Sequence, residues 1–242
     1  MGVASDRPSI DLPATGLPRM APELALQVYT RRAATQTQLI DEYTDRTIVE
    51  AELPDTKQQG QYELLRSFKA PKSLSFASVK FTGDSFVKSS VITKLLQSEV
   101  DHVEKGDPAR SAINEQNYKI SYKGQEEIGN APVHVFQVKP RKKVPGLFKG
   151  KIYIDVYTGS LRRAEGTLAK SPSFFVKKVE FVQDFMDISG VTLPTELRSV
   201  SKARIIGRAI VRIFHRSYEL KTAAIPTATP TEPTTASVTA PK

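Results

Sequence analysis

The spacing of apolar residues predicts one short helix, three strands, a longer helix and then a run of hairpins. From Pro22, apolar residues recur on one helical face, and Arg31 and Arg32 suit the last turn of that helix. Near alternation follows in three segments, 39–53, 61–68 and 73–82, which are typical of strands. A second amphipathic helix is expected to begin at 83–85 and to stop at 106–108, where Gly, Asp and Pro follow one another.

From residue 118 onward the pattern indicates an antiparallel meander. The predicted strands are 118–122, 133–138, 151–157, 161–169, 174–188, 191–203 and 208–220. Their connections are short and rich in Gly, Asn and Ser, which favours antiparallel neighbours. The expected fold class is α+β, mostly antiparallel β, with the amphipathic helix laid across one face of the sheet.

The composition divides the chain into three parts. Residues 1–20 are a predicted flexible leader, 21–220 a single domain, and 221–242 a disordered tail of Pro, Thr and Ala. The tail has almost no large apolar residue with which to offset the entropy of ordering. The chain also has no uninterrupted apolar run as long as a membrane span, and the start of the chain lacks the apolar core of a signal peptide.

Several strands are apolar on both faces, which suggests a ligand cavity. In 174–185, Val176 and Val182 oppose Phe181 and Phe185, and 209–218 shows the same feature. A sheet with one solvated face alternates more strictly. We therefore predict an apolar cavity between sheet and helices, with a closed core as the alternative. The predicted ligand-binding residues are Val176, Val182, Val211, Ile213, Ile152 and Ile154.

The charge of the chain favours acidic partners. Its 242 residues carry a net charge of +9, and the segment 139–151 combines six cations with Leu147 and Phe148. The segment 170–178 repeats lysines around an aromatic pair. We predict that both segments contact an anionic membrane surface. The predicted contact residues are Arg141, Lys142, Lys143, Leu147, Phe148, Lys149, Phe174 and Lys177.

An alternative interpretation of the first segment is a long hairpin loop whose Leu147 and Phe148 fold back into the core. Nucleic acid is a weaker candidate partner. The aromatic residues sit beside Leu, Ile and Val, and the glycine-aromatic signature of strand-based RNA readers does not occur. No nucleic acid partner is predicted.

The sequence offers little catalytic chemistry. Cysteine is absent, and no phosphate-binding glycine loop, nucleophile elbow or paired-histidine motif occurs. His102, His134 and His215 fall on different predicted elements, and the carboxylate pairs 126–127 and 184/187 are of a kind common at strand ends. The prediction is a protein that is not an enzyme and needs no cofactor and no metal.

Three short segments carry a resemblance to a known family. They are 135–140 (VFQVKP), 151–163 (KIYIDVYTGSLRR) and 187–195 (DISGVTLPT). Together with the order of elements, they resemble the periplasmic lipoprotein carriers of the Lol type and the outer-membrane lipoprotein-sorting proteins. The resemblance implies an incomplete, curved β-barrel with helices over its concave side, a cavity for acyl chains, and a periplasmic location after removal of an export signal. The chain departs from the family in lacking a lipobox cysteine and tryptophan.

The predicted function is a non-enzymatic carrier or binder of lipids or acylated proteins in the bacterial cell envelope. Basic, aromatic loops would meet the membrane while the cavity holds an acyl chain. The alternative is a structural or adaptor protein of the envelope that binds another protein through the same basic rim.

Overall fold

The computed structural model describes residues 18–171, 176–204 and 207–222. All ten strands form one antiparallel sheet in the order β3-β2-β1-β10-β9-β8-β7-β6-β5-β4. The sheet does not close, so β3 and β4 are its two edges. The strands are β1 (Ile40–Leu53), β2 (Gln58–Lys69), β3 (Ser73–Gly83), β4 (Tyr118–Ile128), β5 (Ala131–Pro140), β6 (Phe148–Asp155), β7 (Leu161–Leu168), β8 (Val176–Ile188), β9 (Val191–Ala203) and β10 (Gly207–Thr222).

The helices come from two places in the chain. Helix α1 (Pro22–Leu39) precedes the first strand, and α2 (Ser85–Val87), a π-helical turn (Lys88–Ile92), α3 (Thr93–Lys105) and α4 (Pro108–Ser111) join β3 to β4. The predicted fold class, mostly antiparallel β with some helix, is confirmed by this open sheet. Among the described residues, no helix has both the length and the hydropathy needed to cross a membrane.

Helix α1 runs past the end that its sequence predicts. Beyond Arg32 it has few apolar residues, yet it continues because tertiary contacts support it. The side-chain amide of Gln36 exchanges two hydrogen bonds with the backbone of Thr192, at 2.9 and 3.1 Å, and Arg32 forms an ion pair with Asp187. These partners lie at the β8–β9 turn, far away in sequence, so local pattern cannot reveal them.

The sheet has an inner face, which the helices cover, and an outer face. Along β1, Val49, Ala51 and Leu53 are buried on the inner face, whereas Ile48 and Glu50 between them are half-buried on the outer one. The same alternation carries across the ladder, because directly paired residues share a face. A residue's face can therefore be followed from strand to strand through the register.

Two large hydrophobic clusters lie under the helices on the inner face, and a smaller one joins Leu39, the last residue of α1, to Ile40, Val191 and Leu193. The first packs Ala25 and Tyr29 of α1 against strands β4 to β7. The second packs Val87, Ile92 and Leu96, from the α2–α3 segment, against β1, β2 and β10. Each helical segment presents one apolar stripe to the sheet, which is how an amphipathic helix buries its surface.

The prediction that Leu147 and Phe148 are exposed to a membrane is wrong. Leu147 is 1% exposed and Phe148 5%, and both belong to the α1 cluster. Gly146, at φ +85°, turns the chain inward just before them. The backbone N–H of Phe148 then donates to the hydroxyl of Tyr118 at 3.2 Å, and its ring meets Phe181 edge-on at 5.1 Å. The alternative interpretation, a loop that folds back, is what the structure shows.

The other predicted membrane contacts have different outcomes. Arg141, Lys142, Lys143 and Lys149 are exposed around the turn that precedes β6. Phe174 lies outside the described residues, and Lys177 is described only as part of the β8 backbone. The predicted leader and tail fall almost entirely outside the described residues, so the flexibility of both stays a prediction.

Truncation of Leu147 tests its burial. Leu147→Ala should lower the free energy of unfolding by about 2–5 kcal/mol, because it removes a buried side chain and leaves a cavity. Leu65→Ala is the matched control, since Leu65 is 45% exposed, and should cost under about 1 kcal/mol. Urea denaturation measures both. Equal losses for the two variants would contradict the burial of Leu147.

Candidate functional site

A strip of apolar side chains on β8 and β9 lies between the two clusters of the inner face. Phe181 and Phe185 on β8 pack against the α1 cluster, and Leu197 on β9 packs against the α3 cluster. All three remain partly exposed, unlike the members of the clusters themselves. We call Phe181, Phe185 and Leu197 the inner strip. The strip is one of the places where the inner face keeps apolar surface accessible to solvent, another being Tyr122 on β4.

The helices leave this strip open because they pack mainly on other strands. Helix α1 makes its main contacts with β1, β6 and β9, and it meets β9 near Thr192, at the end of the strand. The segment from α2 to α3 lies over β1, β2 and β3. Strand β8, which carries two of the three strip residues, is reached by α1 through the ion pair of Arg32 with Asp187, near the end of the strand.

Polar groups of the same face border the strip and are already satisfied. Gln183, opposite Leu197 in the β8–β9 ladder, donates to two backbone carbonyl oxygens, of Asp184 and Glu196, at 3.2 Å each. Ser199 lies opposite Phe181. An apolar ligand bound on this strip would displace water from the apolar side chains and leave the hydrogen bonds of Gln183 intact.

The structure does not bring the six predicted ligand-binding residues together. Ile152 and Ile154 are buried in the α1 cluster, and Val211 and Ile213 in the α3 cluster. Val182 pairs with Arg198 and lies on the outer face, since its neighbour Phe181 points inward. Val176 is half-buried at the start of β8. That these residues bind a ligand stays a prediction.

The inner strip was missed because β8 is apolar on both faces. Its sequence correctly separates Val182 from Phe181 and Phe185, but periodicity alone does not say which set faces the helices. The ring contact between Phe181 and Phe148 settles that point.

Two grooves among the described residues lie elsewhere and are open to solvent. The larger, of about 440 Å³, lies at the end of β1 to β3 beside Glu50, Glu52, Gln59, Gln61 and Thr82. The smaller lies next to it around the β1–β2 turn. Neither is lined by a predicted ligand-binding residue.

A buried ionic cluster fastens helix α3 to the sheet. Arg66 on β2 is 3% exposed. Its guanidinium donates to Asp45 of β1 at 2.6 Å, to Glu99 of α3 at 2.9 Å and to the hydroxyl of Tyr218 of β10 at 2.8 Å. The Tyr218 hydroxyl in turn donates to the carbonyl of Pro194 at 2.7 Å. Sequence reasoning did not find this cluster, whose members lie on four different elements.

The partners of Asp45 hold it in the charged form. Burial acts to raise the pKa of this carboxyl, but hydrogen bonds from His215 and Thr47 and the charge of Arg66 outweigh it, so its pKa is lowered. Burial acts against the charged form of Arg66 as well, yet the surrounding groups keep its pKa above the ordinary value. Burial raises the pKa of the Tyr218 hydroxyl, which therefore stays protonated and able to donate.

The titratable residues singled out in the sequence have structural roles. Asp184 forms ion pairs with Arg163 and Arg198, and Asp187 forms one with Arg32. His134 is buried and within hydrogen-bond distance, 2.9 Å, of the carbonyl oxygen of Met20. Within residues 18–171, 176–204 and 207–222, no group of three or more His, Asp or Glu side chains is arranged to hold a metal ion.

Comparisons with known proteins return likenesses of fold. Neither a family model nor a curated protein sequence matches this chain. Among solved structures, a LolA superfamily protein from Nitrosomonas europaea is 13% identical, with 84% of this chain and 94% of that one covered at a TM-score of 0.38.

Two further structures show a similar degree of likeness. An outer membrane lipoprotein-sorting protein domain from Vibrio parahaemolyticus is 9% identical, covering 84% of this chain and 95% of its own at a TM-score of 0.41. A DUF1329 family protein from Desulfovibrio piger is 12% identical, with 82% and 92% covered at 0.40. The fold resembles that of the Lol-type carriers.

The ionic cluster gives a prediction about acid stability. Because the pKa of Asp45 is lowered from its ordinary value of 3.8, its charged form stabilises the fold above that pH, and the contribution is lost as the pH falls through the lower, folded-state pKa. Asp45→Asn should cost about 3 kcal/mol at pH 7, since it leaves Arg66 short of a partner.

Urea unfolding of wild type and Asp45→Asn over a pH series measures this effect. The difference between the two should be constant above about pH 5 and shrink progressively below about pH 4. Asp41→Asn, on the exposed side of the same strand, is the control and should change stability by less than about 0.5 kcal/mol. A difference that stays constant down to pH 2 would argue against the role of Asp45.

Proposed function

We propose that this chain is a non-enzymatic binder or carrier of lipids or acylated proteins, and that an acyl chain lies along the inner strip. The observation that carries the proposal is the partly exposed row of Phe181, Phe185 and Leu197 between two helix-covered clusters. Contiguous apolar surface that stays accessible to solvent is a candidate contact for an apolar partner.

The free energy gained by burying an acyl chain is sufficient for reversible binding. Each methylene removed from water contributes about 0.8 kcal/mol. An acyl chain that buries several methylenes therefore offsets the cost of immobilising it, which is several kcal/mol. The aromatic rings of Phe181 and Phe185 add flat surfaces that suit an extended hydrocarbon chain. Such a site would discriminate by chain length more than by headgroup.

Polar substitution on the strip should reduce acyl binding. Leu197→Gln keeps a similar volume but places an amide where the acyl chain would lie, so uptake of a fluorescent fatty acid should weaken about tenfold or more. Fluorescence titration measures the dissociation constant, and mass spectrometry of a solvent extract of purified protein identifies any lipid already bound.

Val182→Gln is the matched control, because Val182 lies on the outer face of the adjacent strand. It should leave uptake unchanged, although the sequence alone placed Val182 in the ligand site. A protein that yields no lipid on extraction and takes up no fatty acid would overturn the proposal. Equal losses in Leu197→Gln and Val182→Gln would show that the inner strip is not the site.

We further propose an envelope location, with contact between the exposed cations of the β5–β6 connection and an anionic membrane. Arg141, Lys142, Lys143 and Lys149 support this idea, because each exposed cation near such a surface contributes about 1 kcal/mol. The contact would be electrostatic only, since Leu147 and Phe148 are part of the core. Association would therefore be reversible and sensitive to salt.

Neutralising the loop should weaken vesicle binding. The triple variant Arg141→Gln, Lys142→Gln and Lys143→Gln removes about 3 kcal/mol of attraction, so the partition coefficient onto phosphatidylglycerol vesicles at low salt should fall about a hundredfold. Vesicle sedimentation measures it.

A control triple variant removes the same charge from exposed lysines elsewhere, Lys57, Lys80 and Lys94. It should change vesicle partitioning much less. Similar losses in both triples would mean that net charge alone attracts the membrane. If neither triple changes partitioning, the loop is free for the alternative role, contact with another envelope protein.

A further inference from the structure

A row of cations on the outer face of β10 takes no part in the function proposed above. Every second residue from Arg208 to Arg216 points outward, and cations alternate with apolar residues along the row. The arginines are exposed and the apolar residues half-buried. The row reads Arg208, Ile210, Arg212, Phe214, Arg216. The sequence already showed β10 to be apolar on both faces, and the helices explain only the inner one.

Cations of the row face other cations across the neighbouring strands. Residues directly opposite each other in an antiparallel ladder have their Cβ atoms about 4.5–5.5 Å apart, and like charges there are destabilising. Three such pairs meet on this face. They are Arg208 with Lys202, Arg212 with Arg198, and Arg216 with Arg46. Carboxylates nearby neutralise Arg198 and Arg46, and an anionic partner would supply the counter-charge for the cations of the row.

The ion pairs on this face are formed mainly by residues outside the row. Arg198 is neutralised by Glu196 and Asp184, and Arg46 by Glu63. Arg212 lies opposite Glu50 on β1, but that carboxylate accepts from the side-chain amide of Gln61 at 3.0 Å instead. Among the described residues, the guanidinium of Arg212 has no ion-pair partner.

The shape of the positive surface favours a narrow partner over a flat one. Acidic side chains flank the row on both sides, with Glu50 and Glu52 on β1 and with Glu180 and Asp184 on β8. A planar anionic bilayer would bring its headgroups onto these carboxylates as well. A single extended chain along β10 would meet the cations and avoid most of the flanking charge.

The repeat of the row matches an extended polypeptide. Outward-facing residues of a strand are spaced by two residues, about 6.6–6.8 Å, and the side chains on one face of any extended peptide have the same spacing. We propose that the outer face of β10 binds an extended acidic polypeptide segment, with acidic residues at every fourth position and apolar residues midway between them. Ile210 and Phe214 would receive the apolar side chains, and Arg212 would pair with the central carboxylate. The guanidinium of Arg216 lies 5.6 Å from the centre of the Phe214 ring, and it would move from the ring to a carboxylate of the peptide.

This proposal is independent of acyl binding, because the two surfaces lie on opposite faces of the sheet. A peptide held only by side chains, without backbone pairing, would bind weakly and dissociate quickly. Its affinity would fall with rising salt, since the contacting charges are exposed.

A designed peptide tests the proposal with the full-length protein. The probe is a fluorescein-labelled nonapeptide with Glu at the first, fifth and ninth positions, Leu at the third, Phe at the seventh and Ser between. Fluorescence anisotropy at low salt should detect its binding. A scrambled peptide of the same composition, with its three Glu residues adjacent, should bind at least about fivefold more weakly, because its charges lose register with the row.

Variants place the peptide on β10. Arg212→Gln should weaken binding of the ordered probe about fivefold, with fatty-acid uptake and the melting temperature unchanged. Lys123→Gln is the matched control, since it removes the same single charge from an exposed position on edge strand β4, and it should have little effect.

Three results would overturn the proposal. The first is an ordered probe that shows no binding at low salt or binds no better than the scrambled one. The second is an equal effect of Arg212→Gln and Lys123→Gln, which would indicate general electrostatic attraction. The third is a larger loss of vesicle binding than of peptide binding in Arg212→Gln, which would make this face a membrane contact.

Discussion

An open antiparallel sheet must cover one of its faces, and the described part of this chain has two helical segments with which to do so. Of the ten strands, the helices contact mainly β1, β2, β3, β6 and β9. The helices therefore make two clusters at the sides of the sheet and leave β8 and the adjoining part of β9 between them. The inner strip follows from this shortage of cover. It needs no special motif, which explains why none was found in the sequence.

The buried arginine cluster fixes where that cover lies. Arg66 joins two strands directly, a third through Tyr218, and helix α3 through Glu99. A buried charge of this kind is a weak source of net stability, because desolvation offsets most of the attraction. It restricts the arrangement of the elements that it joins, since Arg66 makes all three hydrogen bonds only with Glu99 of α3 beside it. The second cluster and one border of the inner strip depend on that placement.

The two faces of the sheet have opposite chemistry. The inner face buries apolar side chains and the ionic cluster of Arg66, whereas the outer face exposes cations in register along β10. The +9 charge of the chain is therefore not spread evenly. Part lies at the β5–β6 turn, around Lys142 and Lys143, and part on the outer face around Arg212. The inner strip, by contrast, carries no charge of its own. An acyl chain and an acidic partner would meet different surfaces of the same protein.

Much of the architecture was readable from local pattern. The alternation in 39–53 and 73–82, the amphipathic 83–106 segment and the short turns from residue 118 onward predicted the strands, the second helix and the meander, because each depends on neighbours in sequence. Because β8 is apolar on both faces, the sequence alone also predicted a binding surface for an apolar ligand. It did not determine that Phe181 faces the helices and Val182 faces solvent, because period two is the same on either face.

The tertiary structure decided everything that rests on contacts between distant residues. Leu147 and Phe148 look exposed in a basic loop, yet Gly146 and the ring of Tyr118 draw them into the core. Arg66, Asp45 and Glu99 are unremarkable in sequence and meet only when β2, β1 and α3 are assembled. The opposed arginines of β9 and β10 likewise exist only in register. Side-chain periodicity is a local property and is written in the chain, whereas the choice of inner face and the pairing of charges depend on which strands become neighbours.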